Sequence, residues 1–297
     1  MSDYVIMTDS TCDLGEDLLK KYEINYAAMN YAIGGKEFPA SANWACHSAS
    51  EFYNLLRSGE KITTTQVPAS TYERKFTDIF ASGQDILYIA CSSALSGSVN
   101  TARLVADELA SDYPDRKVIC LDSLISSLGE GYLALTAAKN RSAGMSLEEN
   151  AAAIEAMKLT VNQFGTVETL DYLKRAGRVT ATSAFFGNFM GIKPILISDR
   201  KGQNLAVKKV KGSAAAYRTI ATMIAEKVIA PEDQTLYLSH ADAPEAVAQL
   251  REEILKLSSF KEVYVHDIAP IVGASVGPGT VIAFCVGQEV TEQGETN

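Results

Sequence analysis

Hydroxyl side chains gather at the ends of three apolar runs in this chain of 297 residues. Tyr4-Val5-Ile6-Met7 leads into Thr8-Asp9-Ser10-Thr11. Ile86-Leu87-Tyr88-Ile89 leads into Ser92-Ser93 and Ser96-Gly97-Ser98, and Val118-Ile119-Cys120-Leu121 into Asp122-Ser123 and Ser126-Ser127. A fourth group, Thr63-Thr64-Thr65, stands before Gln66. A single Ser or Thr between strand and helix serves as an N-cap. Several such clusters, with loop N–H groups, suit a carboxylate or a phosphate. They form a polar socket without obvious catalytic hardware.

Other motifs carry less. Gly273-Ala274-Ser275-Val276-Gly277 matches the G-x-S-x-G pattern of a nucleophile elbow. That elbow is a strand-to-helix turn whose histidine follows in the chain. Here Pro278-Gly279 and a strand-like Thr280–Val286 follow, with no histidine beyond Ser275, so the segment reads as a Gly-rich turn. Gly129-Glu130-Gly131 with Ala134 resembles a dinucleotide fingerprint but lies well past the third apolar run, where a phosphate would miss the strand end. His47, His240 and His266 lack metal-ligand spacing. Lys174, Arg175 and Arg178 complement a helix dipole or contact an anion or partner. The segment Phe185–Met190 reads as core or as the wall of an apolar cavity.

The elements that must position these residues follow from periodicity. The three apolar runs have the length of buried parallel strands, and helical patterns follow each of them. Ligands of open α/β sheets sit beyond the carboxyl ends of such strands. Asp13 with Glu16 resembles a capping box opening a helix through Tyr22, and 24–40 reads as short strands about Gly34-Gly35. Helices are predicted over Ser50–Leu56, Glu73–Phe80, Val99–Leu109, Tyr132–Lys139 and Ser146–Met157, with a Thr-rich loop from Lys61 to Ala69. Beyond a strand at Val161–Glu168, a short helix ends at Gly177, a residue suited to a left-handed C-cap. An apolar helix is expected over 184–192, and helices over 214–227 and 244–257. Strands are expected at 194–198, 205–210, 235–239, 262–266 and 280–287. The fold class is α/β in two domains: residues 1–160 with a mostly parallel sheet and flanking helices, and residues 161–297 with an α/β or α+β arrangement.

Composition bounds the function. Hydrophobic content of 47% with 21% charged residues is ordinary for a globular protein. No run approaches the roughly 20 apolar residues that span a bilayer. No basic-then-apolar export signal opens the chain, so a cytoplasmic protein is expected. The five cysteines show no zinc spacing and read as reduced, mostly buried side chains. A net charge of −9 argues against nucleic acid and against stable adsorption to anionic membrane.

Taken in order along the chain, several stretches resemble the DegV family of bacterial fatty-acid-binding proteins. They are Met7-Thr8-Asp9-Ser10-Thr11-Cys12-Asp13-Leu14, Thr64-Thr65-Gln66, Ser92-Ser93-Ala94-Leu95-Ser96-Gly97-Ser98, and Asp122-Ser123 with Ser127-Leu128-Gly129. Leu173-Lys174-Arg175-Ala176-Gly177-Arg178, Gly191-Ile192-Lys193-Pro194-Ile195-Leu196 and Gly273-Ala274-Ser275-Val276-Gly277-Pro278-Gly279 complete the set. The resemblance implies a two-domain α/β protein holding one long-chain fatty acid between its domains, with no cofactor. It places the carboxylate-binding residues on Thr64, Ser93 and the adjacent Ser92, with Ser275 at a position where the family usually has histidine. It further implies a non-catalytic role as the acyl-carrying subunit of a separate fatty-acid kinase, with Arg178 near the exchange surface and Lys211 where arginine is common. Thr65 replaces a usual serine. A neutral hydroxyl at 275 hydrogen-bonds a carboxylate but brings no positive charge. Two readings compete: an enzyme using Ser93 or Ser275, such as a phosphotransferase or hydrolase, and a binder of another anionic small molecule such as a sugar phosphate.

Overall fold

The computed structural model describes residues 4–181 and 191–294. The three apolar runs form one parallel sheet. Strands β1 (Tyr4–Asp9), β2 (Ile24–Ala27), β6 (Asp85–Ala90) and β7 (Val118–Asp122) stand in the order β2-β1-β6-β7, every pair parallel. Their unbroken apolar character has a direct cause: β1 is buried on both faces along its whole length. Helices α1 (Glu16–Lys21), α3 (Ala69–Ala81), α4 (Ser98–Leu109), α5 (Leu128–Ser142) and α6 (Leu147–Met157) complete the β–α alternation.

A small antiparallel sheet interrupts that alternation, with β3 (Asn30–Ile33) between β4 (Lys36–Pro39) and β5 (Ile62–Thr65). Gly34 and Gly35, at φ of +57° and +82°, supply the left-handed pair that a two-residue hairpin requires. Residues 62–65, expected in a loop, are strand β5. Their β-branched Ile-Thr-Thr-Thr sequence fits a half-buried pleat, and Thr64 faces Tyr31 of β3 in register. Helix α2 (Ala49–Arg57) lies between β4 and β5 in the chain and opens with a complete Ser48–Glu51 capping box.

From residue 161 onward the strands form a separate six-stranded sheet, β10-β9-β8-β13-β11-β12. These are β8 (Val161–Thr166), β9 (Ile192–Ser198), β10 (Asn204–Lys211), β11 (Thr235–His240), β12 (Glu262–Asp267) and β13 (Val281–Val286). All pairs are antiparallel except β11 with β12. Pro194 sits in β9 where pairing with β8 has already ended, so its missing N–H costs no ladder bond on that side. Helices α8 (Ser213–Lys227) and α9 (Pro244–Leu257) cover one face over Phe164, Ile195, Leu236 and Leu238.

Helix α5 packs on β1 and β6 of the parallel sheet and on β11 and β13 of the mixed sheet. Buried on nearly every side, it has no polar stripe to show. The larger hydrophobic core runs across this junction, including Ile6, Phe52, Leu173, Ile271 and Phe284. Tyr53 and Tyr172 bond across it, Tyr53 to the Ile268 carbonyl at 2.6 Å and Tyr172 to that of Leu56 at 3.1 Å.

Two local expectations are corrected. The Asp13–Glu16 capping box does not form: Gly15 is the N-cap of α1, and Asp13 turns away at a φ of +50°. Its carboxyl is held instead by Ser127 and the Ala269 N–H, partners from remote parts of the chain. Residues 270–276 are no turn but helix α10 (Pro270–Val276), which ends at Gly277 with φ +78°. Gly129 and Gly131 lie inside α5, and a Cβ on Gly131 would come within 2.6 Å of the Cys12 carbonyl oxygen. Close packing, not a phosphate, explains that glycine. The short helix before Gly177 is α7 (Asp171–Ala176), and Gly177 has the left-handed φ of +68° that its C-cap position requires. The helix expected over 184–192 lies outside the described residues, except that Gly191 and Ile192 lead into β9.

Candidate functional site

Carboxyl ends of β1, β6 and β7 converge, as they must in a parallel sheet, and the loops beyond them supply one wall of a cavity of about 130 Å³. Thr11, Ser96 and Ser126 come from those three loops. The opposite walls come from β5 (Thr64, Thr65) and α10 (Ile271, Val272, Ser275), two elements that pack directly on each other. Thus Thr64 and Ser275, far apart in sequence, line the same cavity. Arg178, just beyond α7, reaches its edge and donates Nε to the Leu95 carbonyl at 3.1 Å. Since 10–15 Å³ on this measure holds a water, the cavity takes on the order of ten heavy-atom groups.

The available donors differ in how far they are already committed. Among the described residues the Thr64 hydroxyl makes no hydrogen bond, and Ser275 has only a long 3.4 Å contact to the Ile271 carbonyl one helical turn back. Both remain open to a ligand. Ser96 bonds Ser98 at 3.0 Å. Gln66 is fixed by its 2.7 Å bond to Thr101, and any side chain on Gly97 would collide with it.

Two of the expected head-group residues do not come to the cavity. Ser92 is fully buried, its hydroxyl donating to the Gly202 carbonyl at 2.9 Å and accepting from the Ala94 N–H. Ser93 is exposed, and its N–H bonds Asp122. The physical reason is the turn after β6, which directs Ser92 inward as a clamp and Ser93 outward, leaving Ser96 to face the cavity. Lys211, at the exposed end of β10 opposite Ile192, also lies outside the lining. Sequence reasoning missed Gln163 and Asn204, which line the cavity as a pair, Gln163 Nε2 donating to Asn204 Oδ1 at 3.1 Å. The polar residues of β8, Asn162 and Gln163 beside Phe164, were the available signal.

Behind the wall lies a network of buried acids. Asp9 accepts four hydrogen bonds, from the N–H and hydroxyl of Thr11, the hydroxyl of Tyr88 and the N–H of Cys91. Glu130, on the first turn of α5 and wholly buried, meets the hydroxyls of Thr8 at 2.7 Å and Thr11 at 2.5 Å. Burial, and then the charge of Asp9, push Glu130 well above the usual carboxylate range. The dipole of α5 opposes this by about 0.3–1 kcal/mol, up to ~2 in partly buried geometry. Leaving an uncompensated charge buried costs several kcal/mol, so the neutral form prevails. Asp13 is likewise pushed up by burial, to about 8. Its partner Ser127 in turn lies 3.2 Å from Ser239.

Among the described residues no group of three His, Cys, Asp or Glu side chains is arranged to hold a metal ion, and no helix is long and apolar enough to cross a membrane. Cys12, Cys91 and Cys285 are buried, Cys120 is partly buried and Cys46 is exposed; all are free thiols.

Comparison with known proteins places this geometry. The chain is 31% identical to a DegV domain-containing protein of Clostridium perfringens over 287 residues, covering 97% of this chain and 98% of that one. Its fold matches a DegV family protein of Thermus thermophilus, whose structure is described as showing fatty-acid binding, with a TM-score of 0.85 at 26% identity, covering 96% of this chain and all of that one. It also matches the fold of a DegV family protein from Ruminococcus gnavus, solved with vaccenic acid, with a TM-score of 0.86 at 21% identity over 96% of this chain and all of that one. A family profile, that of the DegV family, matches residues 3–287. The chain belongs to the DegV family.

Proposed function

We propose that this protein binds a long-chain fatty acid, with the carboxylate in the cavity between the parallel and mixed sheets and the tail against its apolar walls. The observation that carries the reading is the placement of uncommitted hydroxyls, Thr64 and Ser275, beside Met29, Ile271 and Ile282 in one cavity. Fatty-acid binding by the Thermus relative supports it. A carboxylate buried without partners would cost several kcal/mol, so the donors satisfy the head group while the tail supplies affinity. At about 0.8 kcal/mol per methylene, a chain of some fifteen methylenes contributes on the order of 10 kcal/mol before association costs. About ten heavy-atom groups fit the cavity itself, which assigns it the head group and the first half of the chain.

In this reading Thr64, Ser275 and Ser96 hold the carboxylate, and Arg178 supplies the positive charge that Ser275 lacks. Ser92 and Ser93 act outside the ligand shell. The two lobes meet near residue 160, and the ligand lies at their junction. Presentation of the acid to a separate kinase fits an exposed Arg178 at the cavity edge, with Lys211 on a neighbouring exposed strand. Against a hydrolase, Ser275 sits within a helix, and no histidine lines the cavity among the described residues.

Native mass spectrometry of the freshly purified protein tests the reading. A bound acid of fourteen to eighteen carbons is expected. A phosphate-containing ligand instead would favour the binder of another anion, and turnover of a generic ester would favour the enzyme.

A further inference from the structure

The proposed head-group site leaves Glu130 unused, yet its geometry imposes a proton count. Thr11 Oγ lies 2.6 Å from Asp9 Oδ1 and 2.5 Å from Glu130 Oε2. A threonine hydroxyl has one proton to donate. Two ionised carboxylates cannot both face it at those distances, because one oxygen pair would meet with no proton between them. One of the two acids therefore carries a proton. Asp9 draws two N–H groups and two hydroxyls, a set that stabilises a carboxylate. Glu130 draws the Thr8 hydroxyl and a weaker backbone contact from Asp9. The order of donation is thus Glu130 to Thr11 to Asp9.

Thr11 is also part of the cavity lining. We propose that Glu130 is a proton-bearing positioning residue of this site: its carboxylic acid keeps the Thr11 hydroxyl turned toward Asp9, so the cavity wall there offers a lone pair and no O–H. This rests on the fatty-acid reading for its ligand, but not for its proton. An ionised carboxylate finds no donor at Thr11 and meets the Asp9 charge directly behind it. A methylene, or an O–H that donates, is what this wall accepts. The carboxylate is thereby directed to Thr64, Ser275 and Arg178, and the orientation of the ligand is fixed by an acid pair that never touches it.

The groups acting on Glu130 come from each element against it. Asp9, with Thr8 and Thr11, comes from β1 and its loop, as does Cys12; Tyr88 and Cys91 come from β6 and the turn after it. Among the described residues the charge acting most strongly on Glu130 is that of another acid, so its surroundings reinforce the neutral form.

The test begins without any lipid. Delipidated protein and its Glu130→Gln variant are compared by infrared spectroscopy at neutral pH. Glutamine keeps the shape, with its amide N–H donating to Thr11 and its carbonyl accepting from Thr8. The difference spectrum should show the C=O stretch of one neutral carboxylic acid, present in the unsubstituted protein and lost in the variant. A carboxylate band in its place overturns the proposal. Should the variant not fold, carbon-13 NMR of carboxyl-labelled glutamate in the unsubstituted protein reads the same protonation. Hexadecanoic acid is then titrated into the unsubstituted protein and Thr64→Val, which should lose about tenfold or more in affinity, the worth of one hydrogen bond to a charged group. Unchanged affinity in Thr64→Val means that the head group is held at another wall of the cavity, which overturns the proposal. If the unsubstituted protein does not bind hexadecanoic acid, the fatty-acid reading fails, while the infrared result still decides the proton on Glu130.

Discussion

Ser92 Oγ donates to the carbonyl of Gly202 at 2.9 Å, joining the turn after β6 to the β9–β10 turn across 110 residues of chain. The contact is tight: a Cβ on Gly202, which has a φ of +77°, would sit 2.1 Å from that hydroxyl. Nearby, Ser198 Oγ bonds the Leu124 carbonyl at 3.0 Å. A serine that resembles a ligand residue in sequence is therefore a fastener between the two sheets.

Substituting it should separate stability from binding. Ser92→Ala removes a buried donor and strands the Gly202 carbonyl, at a cost of about 1–3 kcal/mol. Urea denaturation should register that loss, while fatty-acid affinity changes little. Thr64→Val should do the opposite. A Ser92→Ala protein of unchanged stability would contradict the assignment.

Asp13 makes stability depend on pH. Its folded pKa of about 8 lies well above the ordinary carboxylate value. Between about pH 4 and pH 8 the folded state keeps a proton that the unfolded chain has released, so stability falls as pH rises, by up to about 1.4 kcal/mol per pH unit. Asn at this position accepts from Ala269 N–H, donates to Ser127 and tolerates the positive φ. Denaturation curves across this range should therefore be flatter for Asp13→Asn than for the unsubstituted protein, and an identical slope would refute the neutral acid.

Gly131→Ala pits helix propensity against packing. Alanine favours an exposed helix interior by about 1 kcal/mol. Here the new Cβ meets a backbone oxygen at 2.6 Å and Leu14 at 2.8 Å, and overpacking of this kind costs roughly 1–3 kcal/mol. A net loss of thermal stability is expected; a gain would mean that α5 can slide away from the Cys12 loop.

Arg178 is exposed, so its effect on the carboxylate is screened. Arg178→Gln should weaken binding by about threefold at low salt, consistent with the up to ~1 kcal/mol of an exposed ion pair, with the difference shrinking as salt rises. A salt-independent loss would place the arginine in direct, water-excluded contact with the head group.

Much of this was legible in the residues. Ile86–Ile89 had to be a buried strand because nothing polar interrupts it, and Ser146 with Glu149 had to open a helix because both halves of a capping box were present. Asp13 and Glu16 offered the same spelling and failed, since the burial of Asp13 against Ala269 depends on a partner 256 residues away. Thr64, singled out by the family resemblance, lines the cavity, whereas the split between Ser92, Ser93 and Ser96 was not legible. Which way each hydroxyl points is set by the turn after β6 and by Gly202, a contact that no local pattern encodes. Glu130 was the least visible: in sequence it sits in a loose Gly129-Glu130-Gly131 motif ahead of a predicted helix, and only the fold brings it against Thr11.

The most direct test of the account is calorimetric titration of hexadecanoic acid into the delipidated protein and its Thr64→Val variant. The account predicts one saturable site with a negative heat-capacity change from apolar burial, weakened about tenfold or more in the variant. Absence of saturable binding, or equal affinity in both proteins, would contradict it.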